Sequence, residues 1–165
     1  MDDTRFERPW AAADERTALT GFLQFQRETL GWKCAGLSEG QLRERAVPPS
    51  QLCLLGLVWH LARVEWSWFQ CVLRGETGQP PAWEPGGAAF DPDTADVAGT
   101  MHAWHGECAR SRDAVAAAPS LDVTGDYDGD SFSLRSILAH MIEDYARHNG
   151  HADLIRERLD GATGE

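Results

Sequence analysis

Asp144 and His148 stand four residues apart in a stretch of helical periodicity, and His60 stands in a second, apolar stretch that carries almost no charge. Two imidazoles and a carboxylate form an N,N,O donor set that suits a divalent metal and leaves coordination positions for water or substrate. At 100° per residue, with His140 at zero, Leu134, Ile137, Met141, Tyr145, Ala152, Ile155 and Leu159 fall between about 60° and 140°, which makes them the core stripe of their helix. On the same wheel His148 lies at about 80°, inside the stripe, and Asp144 at about 40°, on its edge. An unpartnered carboxylate in that position costs several kcal/mol, so Asp144 requires something to neutralise it. His60 shares a helical face with Cys53, Leu57, Val64 and Cys71 and therefore points inward from another helix.

Plainer readings of the same residues stand beside this one. Each histidine can be a core imidazole bonded to a carbonyl, and Asp144 can form only an ion pair with His148, or reach Arg147 or a neighbouring helix end. His102 and His105 define no clear face, while His140 and His151 sit off the stripe and are expected around a site, not in it. The chain has no phosphate loop, nucleotide fingerprint, C-x-x-C pair or Gly-x-Ser-x-Gly elbow, and neither Ser136 nor any cysteine has a recognisable base. Cys34, Cys53, Cys71 and Cys108 are expected to be free thiols packed as small hydrophobes. Trp59, Trp66 and Trp68 are expected chiefly in the core, and Trp83, in a proline-rich loop, against a ligand.

Four long segments must position these groups. The first is expected from about Asp14, its cap, to Ala35, with Leu19, Phe22, Leu23, Gln26, Leu30 and Lys33 along one side. The second follows Ser50, expected as its N-cap after two prolines, and runs to Leu73; only Arg63 and Glu65 are charged in it, so it must be largely buried. A loop from Gly75 to Asp93, rich in proline and glycine, is longer than a simple helix connection requires, and such loops often rim sites. A third, alanine-rich helix is read from about Thr94 to Ala118 and ends at Pro119. Acidic turn sequence from Asp122 to Asp130 has room for a short hairpin, and Ser133 caps the fourth helix, which ends at Gly161. Four such helices without a strand of comparable strength indicate an all-α bundle.

At 165 residues the chain is long enough for one domain, read as spanning 1–165. Fifteen Lys and Arg against 26 Asp and Glu leave a net charge of −11 with no basic cluster, which disfavours nucleic acid and anionic membrane surfaces as partners. The N-terminus lacks the apolar stretch of a signal peptide and no apolar run is long enough to span a membrane, so a cytoplasmic location is expected.

The stretches Leu30-Gly31-Trp32-Lys33-Cys34, Leu54-Leu55-Gly56-Leu57-Val58-Trp59-His60-Leu61 and His140 to Leu154, with Arg147-His148-Asn149-Gly150-His151-Ala152-Asp153-Leu154 the most specific part, resemble the DinB-like superfamily. More narrowly they are similar to an actinobacterial branch close to the mycothiol-dependent maleylpyruvate isomerases and S-transferases, over about Thr17 to Gly164. The resemblance implies a four-helix bundle whose second and third helices are joined by a long crossover. It implies a divalent metal held by His60, His148 and the residue four before the latter. That residue is often His in the family and Glu in the mycothiol branch; here it is Asp144, one methylene shorter. Zinc fits thiolate best, and nickel and other divalent ions also suit the ligand set. The implied function is thiol transfer in detoxification: coordination lowers the pKa of a small thiol such as mycothiol, and the thiolate attacks an electrophile. In that reading His151 or Tyr145 orients substrate or moves a proton. Association through a bundle face, as a homodimer, is common in the family. The alternatives are a metal-dependent hydrolase that activates water, and a metal-binding or structural bundle without turnover, whose sign would be a closed site of four protein ligands and no pocket.

Overall fold

Asp14 accepts a hydrogen bond from the Thr17 amide and starts α1, Glu15–Cys34, as its position before an apolar 3.6-residue pattern requires. The structure is a computed structural model and describes residues 12–78 and 91–163; Trp83 lies outside them. A one-turn helix, α2, Glu39–Arg43, is held by a capping box between Ser38 and Gln41. Then follow α3, Leu54–Glu65, a π-helical segment, Trp66–Leu73, and α4, Val97–Ala117. A hairpin of β1, Thr124–Tyr127, and β2, Asp130–Ser133, turns through Asp128 and Gly129 at φ 51° and 89°. Two consecutive positive φ values make this a tight hairpin turn, for which Asp-Gly is a favoured pair. The last helix, α5, Leu134–Asp160, is capped by Ser133 and stopped by Gly161 at φ 77°.

Two boundaries differ from the sequence reading. Ser50 is not the cap of α3: its hydroxyl accepts from Leu52 N, and the chain stays extended until Cys53, whose sulfur accepts from Gly56 N. Likewise α4 begins at Val97, because Asp91 folds the preceding residues into a local turn, accepting from Asp93 N and from the Thr94 hydroxyl.

The four long helices form an all-α bundle with an up-down-down-up order that the terminal hydrogen bonds define. At one end Arg135, at the start of α5, pairs with Glu15, at the start of α1; at the other, Arg156 donates to the Lys33 and Ala35 carbonyls at the end of α1. Hence α1 and α5 run parallel. Arg16 donates to Val115 O and Ala118 O, so α4 ends where α1 begins. Arg43 and Arg45, at the end of α2, reach Ala95 O and Asp93, just before α4, while Leu73 and Arg74, at the end of the π segment, line one cavity with Ala114 and Ala117, at the end of α4, so α3 and α4 are also parallel. Parallel neighbours in sequence require a connection that returns along the bundle. The core is the seam of these helices, with Leu30, Leu54, Leu61, Phe69, Ile137 and Met141 without appreciable exposure. Burial of such side chains contributes about 1.5–3 kcal/mol each.

Candidate metal centre and adjoining groove

Antiparallel contact between α3 and α5 brings His60 to Asp144 and His148. Asp144 Oδ1 lies 3.3 Å from His148 Nε2 and Asp144 Oδ2 lies 3.7 Å from His60 Nε2. The two imidazole rings meet edge to face with centroids 4.6 Å apart. One ligand atom from each residue falls within a 4.8 Å span. A tetrahedral zinc ion with bonds of about 2.0–2.2 Å holds its ligand atoms about 3.3–3.6 Å apart, so the donor set fits a divalent ion after sub-ångström adjustment. Asp144 reaches both imidazoles despite its short side chain, because i, i+4 spacing stacks it directly under His148 on α5. Hydrogen bonds from His148 first and His60 second hold its carboxyl well below the usual carboxylate range. The side chains of Asp144 and His148 are mostly covered, whereas that of His60 is 43% exposed, so the cluster opens toward solvent on the α3 side.

A groove of about 360 Å³ begins at His60 and follows α3 into the π segment. Its walls are Trp59, Arg63, Ser67, Trp68 and, from the hairpin, Tyr127. Trp68 packs its ring against His140 at 4.6 Å and Phe132 at 5.2 Å. The π segment contributes Ser67 and Trp68 to these walls, and its i→i+5 bonding widens the backbone relative to a continuous α-helix. Trp59, Trp66 and Trp68, expected chiefly in the core, are only half-buried, and two of them line this groove. A family model described as mycothiol-S-transferase matches residues 18–161. The chain belongs to the mycothiol-S-transferase family. Neither a curated protein nor a solved structure matches it.

The other residues singled out by sequence fall at different distances from this family member's candidate site. His151, half-buried, approaches it through His148, with the two Nδ1 atoms 3.4 Å apart. His140 is exposed and stacks on Trp68, one helical turn before Asp144. His102 and His105 are exposed on α4, away from the cluster. Tyr145 is 0% exposed and its hydroxyl turns into the core, donating to Glu65 Oε1 and accepting from Trp104 Nε1, both at 2.8 Å. That position offers no surface to a substrate; the side chain belongs to a buried network. Glu65, the lone acid of the apolar second segment, is its hub and takes two hydrogen bonds of 2.7 Å from Arg27. Arg63, Ser67 and Tyr127 are the groove residues that sequence did not single out. The lone arginine of an apolar helix was their visible signal. Among the described residues, no helix is long and apolar enough to cross a membrane.

Proposed function

We propose that the protein is a divalent-metal-dependent thiol transferase in which His60, Asp144 and His148 hold the ion and mycothiol is the thiol substrate. The observation that carries this reading is the convergence of two imidazoles and one carboxylate, from two helices, at the mouth of a groove. Three ligands and an open side leave positions for an exchangeable group, in contrast to a closed structural site. When bound, the ion supplies a lowered thiol pKa, so that a thiolate nucleophile is available at neutral pH without a protein base. Zinc suits the donor set and thiolate chemistry, and nickel also accepts imidazole. His148 and His60 would ligate through Nε2, the atoms nearest the carboxylate, which places the proton of each ring on Nδ1. His151 Nδ1 then accepts from His148 and fixes its tautomer and ring orientation, a positioning role.

The test is metal content by plasma mass spectrometry on the full chain, purified without a nickel column, beside His60→Ala and His148→Ala. Near-stoichiometric metal in the unmodified protein and its loss in both variants is expected. No metal in the unmodified protein, with none taken up on titration, would overturn the reading. Turnover of an electrophile with mycothiol, but not without it, separates transfer from hydrolysis by the same ion.

A further inference from the structure

The geometry points to a second small-molecule site, a cleft between α1 and α4, that takes an unbranched aliphatic monocarboxylate with its head group between Arg27 and Arg112. The inference stands apart from the transferase reading, because the cleft shares no residue with the metal centre or with the groove at its mouth. Thr17, Thr20, Gln24 and Arg27 recur every three or four residues and so form one face of α1, which looks onto Arg112 and Val115 of α4. The two threonines are too short to fill the space between the helices. The resulting cleft of about 330 Å³ falls in the range of small-molecule sites, about 300–1,000 Å³. Polar contacts hold its two sides together: Arg16 donates to Val115 O and Ala118 O, and Arg112 donates to Gln24 Oε1 at 3.3 Å.

Arg27 is the group that asks for a ligand. Its side chain is 95% buried, since only 5% is exposed, and it lines the cleft. Nε and Nη2 both donate to Glu65 at 2.7 Å, and the Phe69 ring lies 5.9 Å from the guanidinium carbon. Nη1 makes no hydrogen bond among the described residues, yet it is not sealed in the core, so its two N–H groups face the cleft. Donors in that position call for an acceptor, and a carboxylate supplies a charge-assisted one. Glu65 already neutralises Arg27, so the net attraction for an anion comes from Arg112, which is exposed at the rim. No carboxylate stands among the described residues that line the cleft to compete for either cation.

The walls decide the rest of the ligand. Leu23, Val115 and Leu138 are apolar, buried and aliphatic, and no aromatic ring stands among the described lining residues, in contrast to the tryptophan groove beside His60. Water held there finds few polar partners, whereas an alkyl chain gains dispersion contacts along the whole wall. At 1.5 Å per residue Thr17 lies about 15 Å from Arg27 along α1, which gives a chain of medium length room to run from its head group toward the start of the helix.

The experiment is a nuclear magnetic resonance titration of the metal-loaded full chain, with leucine and valine methyl groups isotope-labelled, using octanoate and 1-octanol. Octanoate should shift the Leu23, Val115 and Leu138 methyls along one saturable curve and leave Val64, in the groove beside His60, unchanged. It should bind about tenfold more tightly than 1-octanol, the effect of a charge-assisted hydrogen bond. Arg112→Gln should shrink that preference. Thr20→Trp, at a half-buried position on the wall, should fill the cleft and abolish binding of both ligands. No shift at the three methyls, or a response confined to Val64, as ligation of the metal by the carboxylate would give, overturns the inference. Equal affinities of octanoate and 1-octanol, a preference unmoved by Arg112→Gln, or octanoate binding that survives in folded Thr20→Trp would do so as well. Should Thr20→Trp fail to fold, the ligand comparison and Arg112→Gln decide the matter by themselves.

Discussion

Glu65 and Tyr145 show how a polar group survives in the core of this bundle. Glu65, Tyr145 and Trp104 are at most 2% exposed, yet Trp104 Nε1, the Tyr145 hydroxyl and both Glu65 carboxylate oxygens are hydrogen-bonded, the last two to Arg27. The Cys108 thiol also lies 3.6 Å from Glu65. Burial drives the Tyr145 phenol well above its ordinary pKa, so it remains a proton donor to Glu65 at any physiological pH. Tyr145→Phe removes that donor and leaves Trp104 Nε1 without its acceptor, while Glu65 Oε1 keeps its hydrogen bond from Arg27 Nε. Chemical denaturation should show a loss of about 1–3 kcal/mol. Because the hydroxyl faces away from Asp144, metal content should be unchanged; a variant that lost metal while keeping its stability would contradict the placement. Asp144, one residue earlier, looks the other way, and this single step of 100° separates the core from the site.

At the scale of elements, the π segment and the hairpin are fitted to one another. Gly125 in β1 lies so close to the π segment that a Cβ there would sit 1.9 Å from the Val72 carbonyl oxygen and 2.9 Å from Leu73 Cα. Only glycine allows the hairpin to dock at this distance, and the docking carries Tyr127 to 5.9 Å from Trp68. In Gly125→Ala the hairpin must retreat, with a stability loss of about 1–3 kcal/mol typical of overpacking. Nuclear magnetic resonance of the aromatic region should show altered Trp68 and Tyr127 environments while the His60 and His148 signals persist. Retained chemical shifts at Trp68 would mean that the contact does not govern the groove. The helices themselves were legible in sequence, since caps at Asp14 and Ser133, the stop at Gly161 and the stripe through Met141 and Tyr145 are local features. The π turn was not legible, because its hydrogen-bond register depends on what packs against it and α- and π-helices share the same residue preferences.

Across the whole molecule, the parallel pairs α1/α5 and α3/α4 leave all four cysteines as free thiols at different depths. Burial pushes the Cys34 and Cys108 thiols up to about 12, and Cys53 is also raised and fully covered. Cys71, on the π segment, is half-exposed. With Ellman's reagent the native protein should therefore show one thiol reacting ahead of the others, and Cys71→Ser should abolish that phase. The remaining three should react only as fast as the bundle opens, and all four at once in denaturant. Rapid modification of two or more thiols in the native state would refute this packing.

Sequence alone determined the helical class, the residue types of an N,N,O donor set and the family to which the chain belongs, because periodicity, capping and motif spacing are properties of neighbouring residues. Tertiary structure decided the rest. Only the antiparallel meeting of α3 and α5 could show that His60 reaches Asp144, that Tyr145 is turned inward onto Glu65, and that two tryptophans form the walls of a groove. The physical reason is that a carboxylate four residues from a histidine has the same local geometry whether a third ligand, an ion pair or solvent faces it. What faces it is set by long-range packing.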